Sequence, residues 1–219
     1  PKQLLTVAHR PMVEHSVGHL AHHGVTEVVL SMGFRPDAFE AAYPDGRCAG
    51  VAVRYAIEPE PLDTAGAIGF AARDAGIDET FLACNGDVLT DLDIGGLIER
   101  HRTTGAAATI ALTPVDHPAR YGVVPTDDNG RVLDFIEKPP AGEAPTNLVN
   151  AGTYVLEPSV LDRIPAGRPT SVEREIFPAM AADGTLFAMA SDDYWVDAGT
   201  PASYLAANLH LVDHPEGGT

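Results

Sequence analysis

Thr80-Phe81-Leu82-Ala83-Cys84-Asn85-Gly86-Asp87 is a short apolar run that stops at a small polar tripeptide. Uncharged and only a few residues long, the run suits a strand buried on both faces of a sheet. Asn85-Gly86 then turns the chain and leaves Asp87 at the strand's carboxyl end, which is where ligands bind in open α/β sheets. A carboxylate there can hold a hard cation such as Mg2+, which takes oxygen ligands and shares them with phosphate. Taken alone, the tripeptide reads as a plain turn, because Asn-Gly and Gly-Asp are common turn pairs.

Outward from this stretch the chain alternates. Val25–Met32 and Val51–Ile57 read as strands dense in β-branched residues, with a short helix at about 37–42 between them. Two prolines keep Glu58-Pro59-Glu60-Pro61 irregular, and Thr64 reads as the cap of a helix running to about Ala75. A helix from about Ile94 to Arg102 follows the opening strand, and Ala107–Val115 is the next strand. This rhythm predicts an α/β fold with a Rossmann-like, doubly wound, mainly parallel sheet. Residues 1–10 read as a loop leading to a helix with Pro11 in its first turn and Gly24 at its end.

The second half changes character. Tyr121–Thr126 and Arg131–Ile136 flank Asp127-Asp128-Asn129-Gly130, a hairpin turn. Leu148–Leu156 is a strand, Ser171–Ala182 a helix, and Leu186–Met189 and Tyr194–Val196 are strands. Pro201 opens a closing amphipathic helix. The sheet is therefore expected to become mixed, within one domain over residues 1–213, with 214–219 as tail or linker.

Composition narrows the function. Of 219 residues 45% are hydrophobic, and no apolar run approaches membrane-spanning length, so the chain reads as soluble, with no membrane partner. A formal net charge of -17 argues against nucleic acid, which needs a basic face. It also means that any phosphate site must be built from local cations, helix N-termini or a metal. Cys48 and Cys84 are too few for a disulfide framework and read as reduced thiols of a cytoplasmic protein. Homo-oligomerisation stays open.

Only Lys2 and Lys138 are lysines among fourteen basic residues. Lys138 follows Glu137 at a strand end, and a lysine is a point charge suited to one phosphate. Tyr194-Trp195-Val196-Asp197-Ala198-Gly199-Thr200 repeats the pattern of a strand ending in Asp, so Asp87 and Asp197 could share one Mg2+. The competing reading has Asp197 capping the final helix, which Thr200 could do alone.

Several segments, in order over nearly the whole chain, carry a resemblance. They are Pro1-Lys2-Gln3-Leu4-Leu5, Arg10-Pro11-Met12, Gly24–Leu30, Glu58-Pro59-Glu60-Pro61-Leu62 and Thr64-Ala65-Gly66-Ala67. Then come Asn85-Gly86-Asp87, Arg120-Tyr121-Gly122-Val123-Val124, Glu137-Lys138-Pro139, Asn150-Ala151-Gly152-Thr153-Tyr154-Val155, Ser171–Pro178 and Trp195–Pro201. The set resembles the sugar-1-phosphate nucleotidyltransferases, most of all the bacterial mannose-1-phosphate guanylyltransferases. The resemblance implies a GT-A-like nucleotidyltransferase fold, with Asp87 and Asp197 binding Mg2+, Lys138 neutralising the sugar phosphate and Lys2 the nucleotide phosphates or leaving pyrophosphate. It implies that Glu137, Asn150 and the backbone at Gly122 hold sugar hydroxyls. Tyr121, Gly152 and Glu173 join the substrate-binding set from the same segments, as do Thr64, Ala65, Gly66, Asn85 and Gly86. Whether Glu173 and Glu175 touch ligand or brace the pocket is open. The implied partners are GTP, or another nucleoside triphosphate, and a sugar-1-phosphate.

Glu58 bears on the base. Relatives that use uridine or thymidine triphosphates often carry Gln there, whereas a carboxylate can accept both N1–H and the 2-amino group of guanine. Three departures from the family pattern stand out. The glycine-rich G-G-x-G-T-R loop and first strand that precede the segment beginning at Pro1 are not in the sequence, so a preceding segment is expected and the chain alone is expected to be weak or inactive. Asp63 stands where the family usually has Gly, and His9 where Gly or Asn is usual. Asp91-Leu92-Asp93 also imitates the metal motif of a glycosyltransferase. That reading, a glucose-1-phosphate uridylyl- or thymidylyltransferase and a non-catalytic regulatory homologue are the alternatives.

Overall fold

The structure is a computed structural model that describes residues 1–33 and 36–214. In chain order its elements are β1 (Thr6–Val7), β2 (Arg10–Pro11), α1 (Met12–His22), β3 (Glu27–Met32), α2 (Pro36–Ala42), β4 (Arg47–Cys48) and β5 (Val51–Ile57). They continue with α3 (Asp63–Ala75), β6 (Phe81–Cys84), β7 (Val88–Thr90), α4 (Ile94–Thr104), β8 (Ala108–Pro114), β9 (Gly122–Val123), β10 (Ile136–Glu137) and β11 (Leu148–Leu156). A π-helical turn (Val172–Ile176), α5 (Phe177–Ala182), β12 (Leu186–Ala190), β13 (Trp195–Asp197) and α6 (Pro201–Asp213) complete it. The α/β class and most of the expected elements are present. Residues 215–219 of the expected tail lie outside the described residues. Among the described residues no helix is long and apolar enough to cross a membrane.

The chain divides into two compact units, one of residues 1–59, 85–94 and 193–219, the other of 60–84 and 95–192. In the first unit β3 and β5 pair in parallel from Glu27↔Ala52 to Met32↔Ile57, with β4 antiparallel at the far edge of β5. Val13 and Val17 of α1 pack with Met32, Phe39, Tyr43, Val51 and Val53 as one buried cluster. A second cluster joins Val7, Met12, Leu89, Ala198, Ala207 and Leu211. The expected N-terminal loop is instead a two-residue hairpin, Thr6↔Pro11 and Val7↔Arg10, and Pro11 sits before α1 as its cap residue rather than inside its first turn.

In the second unit β6, β8 and β12 run the same way, and β11 runs against β6 and β8, giving the expected mixed sheet. Its core holds Ile110, Leu112, Tyr154, Leu156, Phe177, Met180 and Leu186, all buried. The predicted turn is built by Asp127, whose carboxylate Oδ1 accepts from the N–H groups of Asn129 and Arg131. The flanking strands are shorter than predicted: β9 and β10 pair only at Ile136↔Val123 and Glu137↔Gly122, with a separate bridge at Thr126↔Val132.

Where the alternation predicts one continuous sheet, the strands assort into four. The rhythm of elements dictates their directions, but pairing depends on partners distant in sequence, and β7 finds β13 rather than another parallel strand. β6 pairs with β11 on one side only among the described residues, and its run is half-buried, with Cys84 exposed, where the uncharged run predicts cover on both faces.

Candidate active site

In the first unit the opening motif does what its position suggests. After β6 the chain turns through Asn85-Gly86, with Val88 N–H directed at the Asn85 carbonyl (3.4 Å), and enters β7. β7 pairs antiparallel with β13 so that Val88 faces Asp197, and Ala198 N–H donates to the Asp87 carbonyl (2.9 Å). Asp87, just before β7, and Asp197, the last residue of β13, are thus carried by paired segments more than a hundred residues apart in the chain. Asp197 is held by its own turn: Oδ1 accepts from Gly199 N–H at 2.8 Å. It does not cap α6. Thr200 does so, its hydroxyl accepting from Ser203 N–H while the Ser203 hydroxyl accepts from Thr200 N–H, both at 3.1 Å.

Lys2 lies on Asp87, Nζ to Oδ2 at 2.6 Å. Among the described residues no group of three or more His, Cys, Asp or Glu side chains is arranged around a metal. Mg2+ does not need one, since it keeps several waters and takes one or two carboxylates plus phosphate oxygens. Asp87 and Asp197 carry oxygen donors of the hard kind it takes. Gln3 lies over Gly86, where an added Cβ would come within 3.4 Å of its side chain. Glu58 sits just past β5, its N–H on the Met32 carbonyl (2.9 Å) and its Oε1 accepting from the Ser31 hydroxyl (3.1 Å). Glu58 is thus at the carboxyl ends of two parallel strands, the ligand-binding end of such sheets.

The second unit gathers the remaining candidates. Gly122 and Glu137 pair across β9 and β10, and a Cβ at Gly122 would meet the Phe135 ring at 2.7 Å and Glu137 Oε2 at 3.1 Å. Lys138 has a left-handed backbone (φ +48), fixed by its N–H on the Tyr121 carbonyl (3.1 Å), and its exposed ammonium lies 3.4 Å from Glu137 Oε1. Asn150 stands where β11 bulges against β8, the register passing from Asn150↔Leu112 to Tyr154↔Ile110. Gly152 makes the bulge possible with φ +75, and its N–H donates to Asn150 Oδ1 (2.9 Å). Asn150 Nδ2 in turn donates to the buried Tyr154 hydroxyl at 2.9 Å. Burial pushes the Tyr154 phenol well above its usual range, reinforced by Glu173 and, more weakly, by Cys84 and Glu137, while the Asn150 hydrogen bond opposes the shift. Tyr154 was not among the expected residues, though the four-residue spacing that puts it on Asn150's face of a strand was readable.

The start of α3 differs from expectation. The helix begins at Asp63, so Thr64 lies inside it rather than capping it. Asp63 adopts φ +58, a conformation that glycine takes freely, which explains why Gly is usual there. Asp is tolerated because its Oδ1 accepts from Thr64 N–H (2.8 Å) and its Oδ2 from Arg174 (2.7 Å). Ala65 and Gly66 both donate their N–H groups to the Thr170 carbonyl (2.8 and 3.1 Å), and Ala65 is fully buried. Those two donors are spent inside the fold. A Cβ on Gly66 would strike Leu62 at 2.8 Å and the Arg168 carbonyl at 3.1 Å, so its smallness is a packing requirement.

Comparison with known proteins bears on this arrangement directly. The sequence profile of the nucleotidyl transferase family matches residues 1–214. The chain is a member of the nucleotidyl transferase family. Among curated relatives of this nucleotidyl transferase, the mannose-1-phosphate guanylyltransferase of Mycobacterium tuberculosis is 40% identical over 214 residues, covering 97% of this chain and 59% of its own length. The mannose-1-phosphate guanyltransferase of Aspergillus fumigatus is 41% identical over 219 residues, with the same coverage. The chain thus spans about three fifths of the length of the curated relatives it matches. Among solved structures, HddC from Yersinia pseudotuberculosis, complexed with GMP-PN, superposes with a TM-score of 0.82 at 27% identity, over 96% of this chain and 90% of its own. A putative glucose-1-phosphate thymidylyltransferase from Bacillus anthracis gives 0.85 at 25%, over 97% and 87%.

Proposed function

We propose that this chain is the catalytic part of a nucleotidyltransferase that joins GTP to mannose-1-phosphate, yielding GDP-mannose and pyrophosphate. The observation that supports it is the pairing of β7 with β13, in which Asp197 stands opposite Val88, the residue after Asp87, together with Lys2 on Asp87. Relatives named mannose-1-phosphate guanylyltransferase in both bacteria and fungi support the sugar and the base, and a solved relative complexed with GMP-PN supports the base.

In this reading Asp87 and Asp197 would hold Mg2+, which supplies charge neutralisation for the phosphates when bound. Lys138 offers a single positive charge to the phosphate of the sugar-1-phosphate. Lys2, once drawn off Asp87, serves the nucleotide phosphates or the departing pyrophosphate. Glu137, Asn150 and the Gly122 backbone take sugar hydroxyls, Tyr121 and Gly152 hold those groups in place, and Asn85-Gly86 line the nucleotide side. A phosphate oxygen of the sugar-1-phosphate attacks the α-phosphorus, a P–O bond forms there, and the bond to pyrophosphate breaks with its electrons leaving on pyrophosphate. Positioning and charge neutralisation supply the rate, without a covalent enzyme intermediate. Glu58 favours guanine by accepting from both of its donors.

The test is pyrophosphate release by the complete protein with GTP and mannose-1-phosphate, against UTP, dTTP and glucose-1-phosphate pairs. The GTP and mannose-1-phosphate pair is expected to be the fastest. Turnover confined to another pair, or transfer of sugar from a nucleotide-sugar without pyrophosphate chemistry, overturns the reading.

A further inference from the structure

Two acidic residues of the Ser171–Pro178 segment are used very differently. Glu175 spends both carboxylate oxygens inside the fold: Oε1 accepts from Ser171 N–H (3.2 Å), and Oε2 from the Arg168 guanidinium (2.6 Å). It is a brace. Glu173, one residue into the π-helical turn, spends only Oε2, which accepts from the Thr64 hydroxyl (2.7 Å) and the Ser171 hydroxyl (2.9 Å). The Thr64 hydroxyl is fixed in turn, because its oxygen accepts from Val172 N–H at 2.9 Å. Glu173 Oε1 accepts no hydrogen bond among the described residues.

The geometry points to a division of labour within this one carboxylate: Oε2 is an anchor and Oε1 is an acceptor held ready for a hydroxyl of the sugar. We propose that Thr64, with Ser171, is the positioning residue that sets Glu173 for this task. Three features support it. Two hydroxyl donors converging on one oxygen remove the side-chain freedom that a long glutamate otherwise loses on binding. The π-helical turn that carries Glu173 is a local departure of the kind that concentrates at functional sites. And Glu173 shares the electrostatic environment of the Tyr154 hydroxyl with Glu137, and Asn150 hydrogen-bonds that same hydroxyl, so the three residues belong to one neighbourhood of the second unit. Vicinal hydroxyls of a hexose are donors that such a set of acceptors would read.

The inference deepens the proposed function and rests on it. The experiment is steady-state kinetics of the complete protein on Thr64→Val, Thr64→Ser, Glu173→Ala and the Thr64→Val/Glu173→Ala double variant, with thermal melting of each. Thr64→Val is expected to raise the KM for sugar-1-phosphate about tenfold, in line with loss of a hydrogen bond to a charged group, while the KM for nucleoside triphosphate stays within twofold. Thr64→Ser, which keeps the hydroxyl, is expected to restore the wild-type value. In the Glu173→Ala background Thr64→Val is expected to add nothing to the sugar-phosphate KM, because its effect passes through Glu173. An unchanged sugar-phosphate KM in Thr64→Val, a parallel rise in both KM values, or additive effects in the double variant overturns the inference while wild-type turnover leaves the proposed function standing. A wild type that releases no pyrophosphate with any pair takes down both. Should Thr64→Val melt too low to assay, Ser171→Ala carries the same expectation and the same overturning outcomes.

Discussion

The Lys2 ammonium and Asp87 Oδ2 stand 2.6 Å apart, so the lysine assigned to the phosphates is the counterion of the carboxylate assigned to the metal. The two roles compete. Replacing Lys2 by Met removes an ion pair that, half-exposed as it is, is worth about 0.2–1 kcal/mol. Without nucleotide, Mn2+ is expected to bind Lys2→Met up to about fivefold more tightly than wild type, read by the electron paramagnetic resonance of free Mn2+. Turnover should fall in the same variant. A metal affinity that drops or stays level contradicts the competition.

Gly199 is expected to control the other carboxylate. A Cβ there would stand 2.7 Å from Asp197 Oδ1, the oxygen that accepts the Gly199 N–H. Gly199→Ala must displace the Asp197 side chain, so Mn2+ affinity should fall toward that of Asp197→Asn while the melting temperature changes little. Equal affinity for wild type and Gly199→Ala would show that Asp197 takes no part in the metal site.

Gly122 is hemmed in by the Phe135 ring and Glu137. Gly122→Ala is expected to cost about 1–3 kcal/mol of stability by overpacking. The KM for sugar-1-phosphate should also rise, since the displaced group includes Glu137. Denaturant unfolding and initial rates test the two halves separately.

His15 is expected to make the fold acid-sensitive. Burial lowers its affinity for a proton below the ordinary value, with Arg10 adding to the shift and the Val7 carbonyl and Glu14 opposing it. The buried ring lies 2.9 Å from the Val7 carbonyl through Nε2. The unfolded chain therefore binds a proton at higher pH than the folded one. Its contribution is present in full above the unfolded value of about 6.5 and declines as pH falls below it. The melting temperature is expected to drop between pH 7.5 and 5, and less steeply in His15→Gln. Parallel pH profiles for the two proteins would assign the sensitivity elsewhere.

Base selection is expected to move with Glu58. Glu58→Gln should shift the GTP-to-UTP ratio of kcat/KM toward UTP by roughly tenfold, the scale of one hydrogen bond to a charged acceptor. An unchanged ratio removes Glu58 from base recognition.

Much of this was legible because it is local. Leu148–Leu156 was read to the residue, being a long apolar strand with clear bounds, and Asp127 to Gly130 announces its own turn. What escaped is long-range or too short for a period. Two-residue strands such as β1 and β2 have no alternation to detect, so they passed for loop. Thr64 has the chemistry of a helix cap, but its hydroxyl is claimed by Glu173 and Val172, 109 and 108 residues away, and Asp63 takes the helix start. That the segments carrying Asp87 and Asp197 pair could be suspected from two similar strand ends. The ion pair of Lys2 with Asp87, 85 residues distant, could not.

Asp63 also says something about how this sequence can drift. With φ at +58 the position admits glycine freely, Asp or Asn with little penalty, and almost nothing β-branched or bulky. Among the residues the position accepts, Asp adds a guanidinium partner in Arg174 as well as a backbone contact. Because that ion pair is exposed it adds little stability, so a return to glycine at 63 is expected to be tolerated and to leave Arg174 facing solvent.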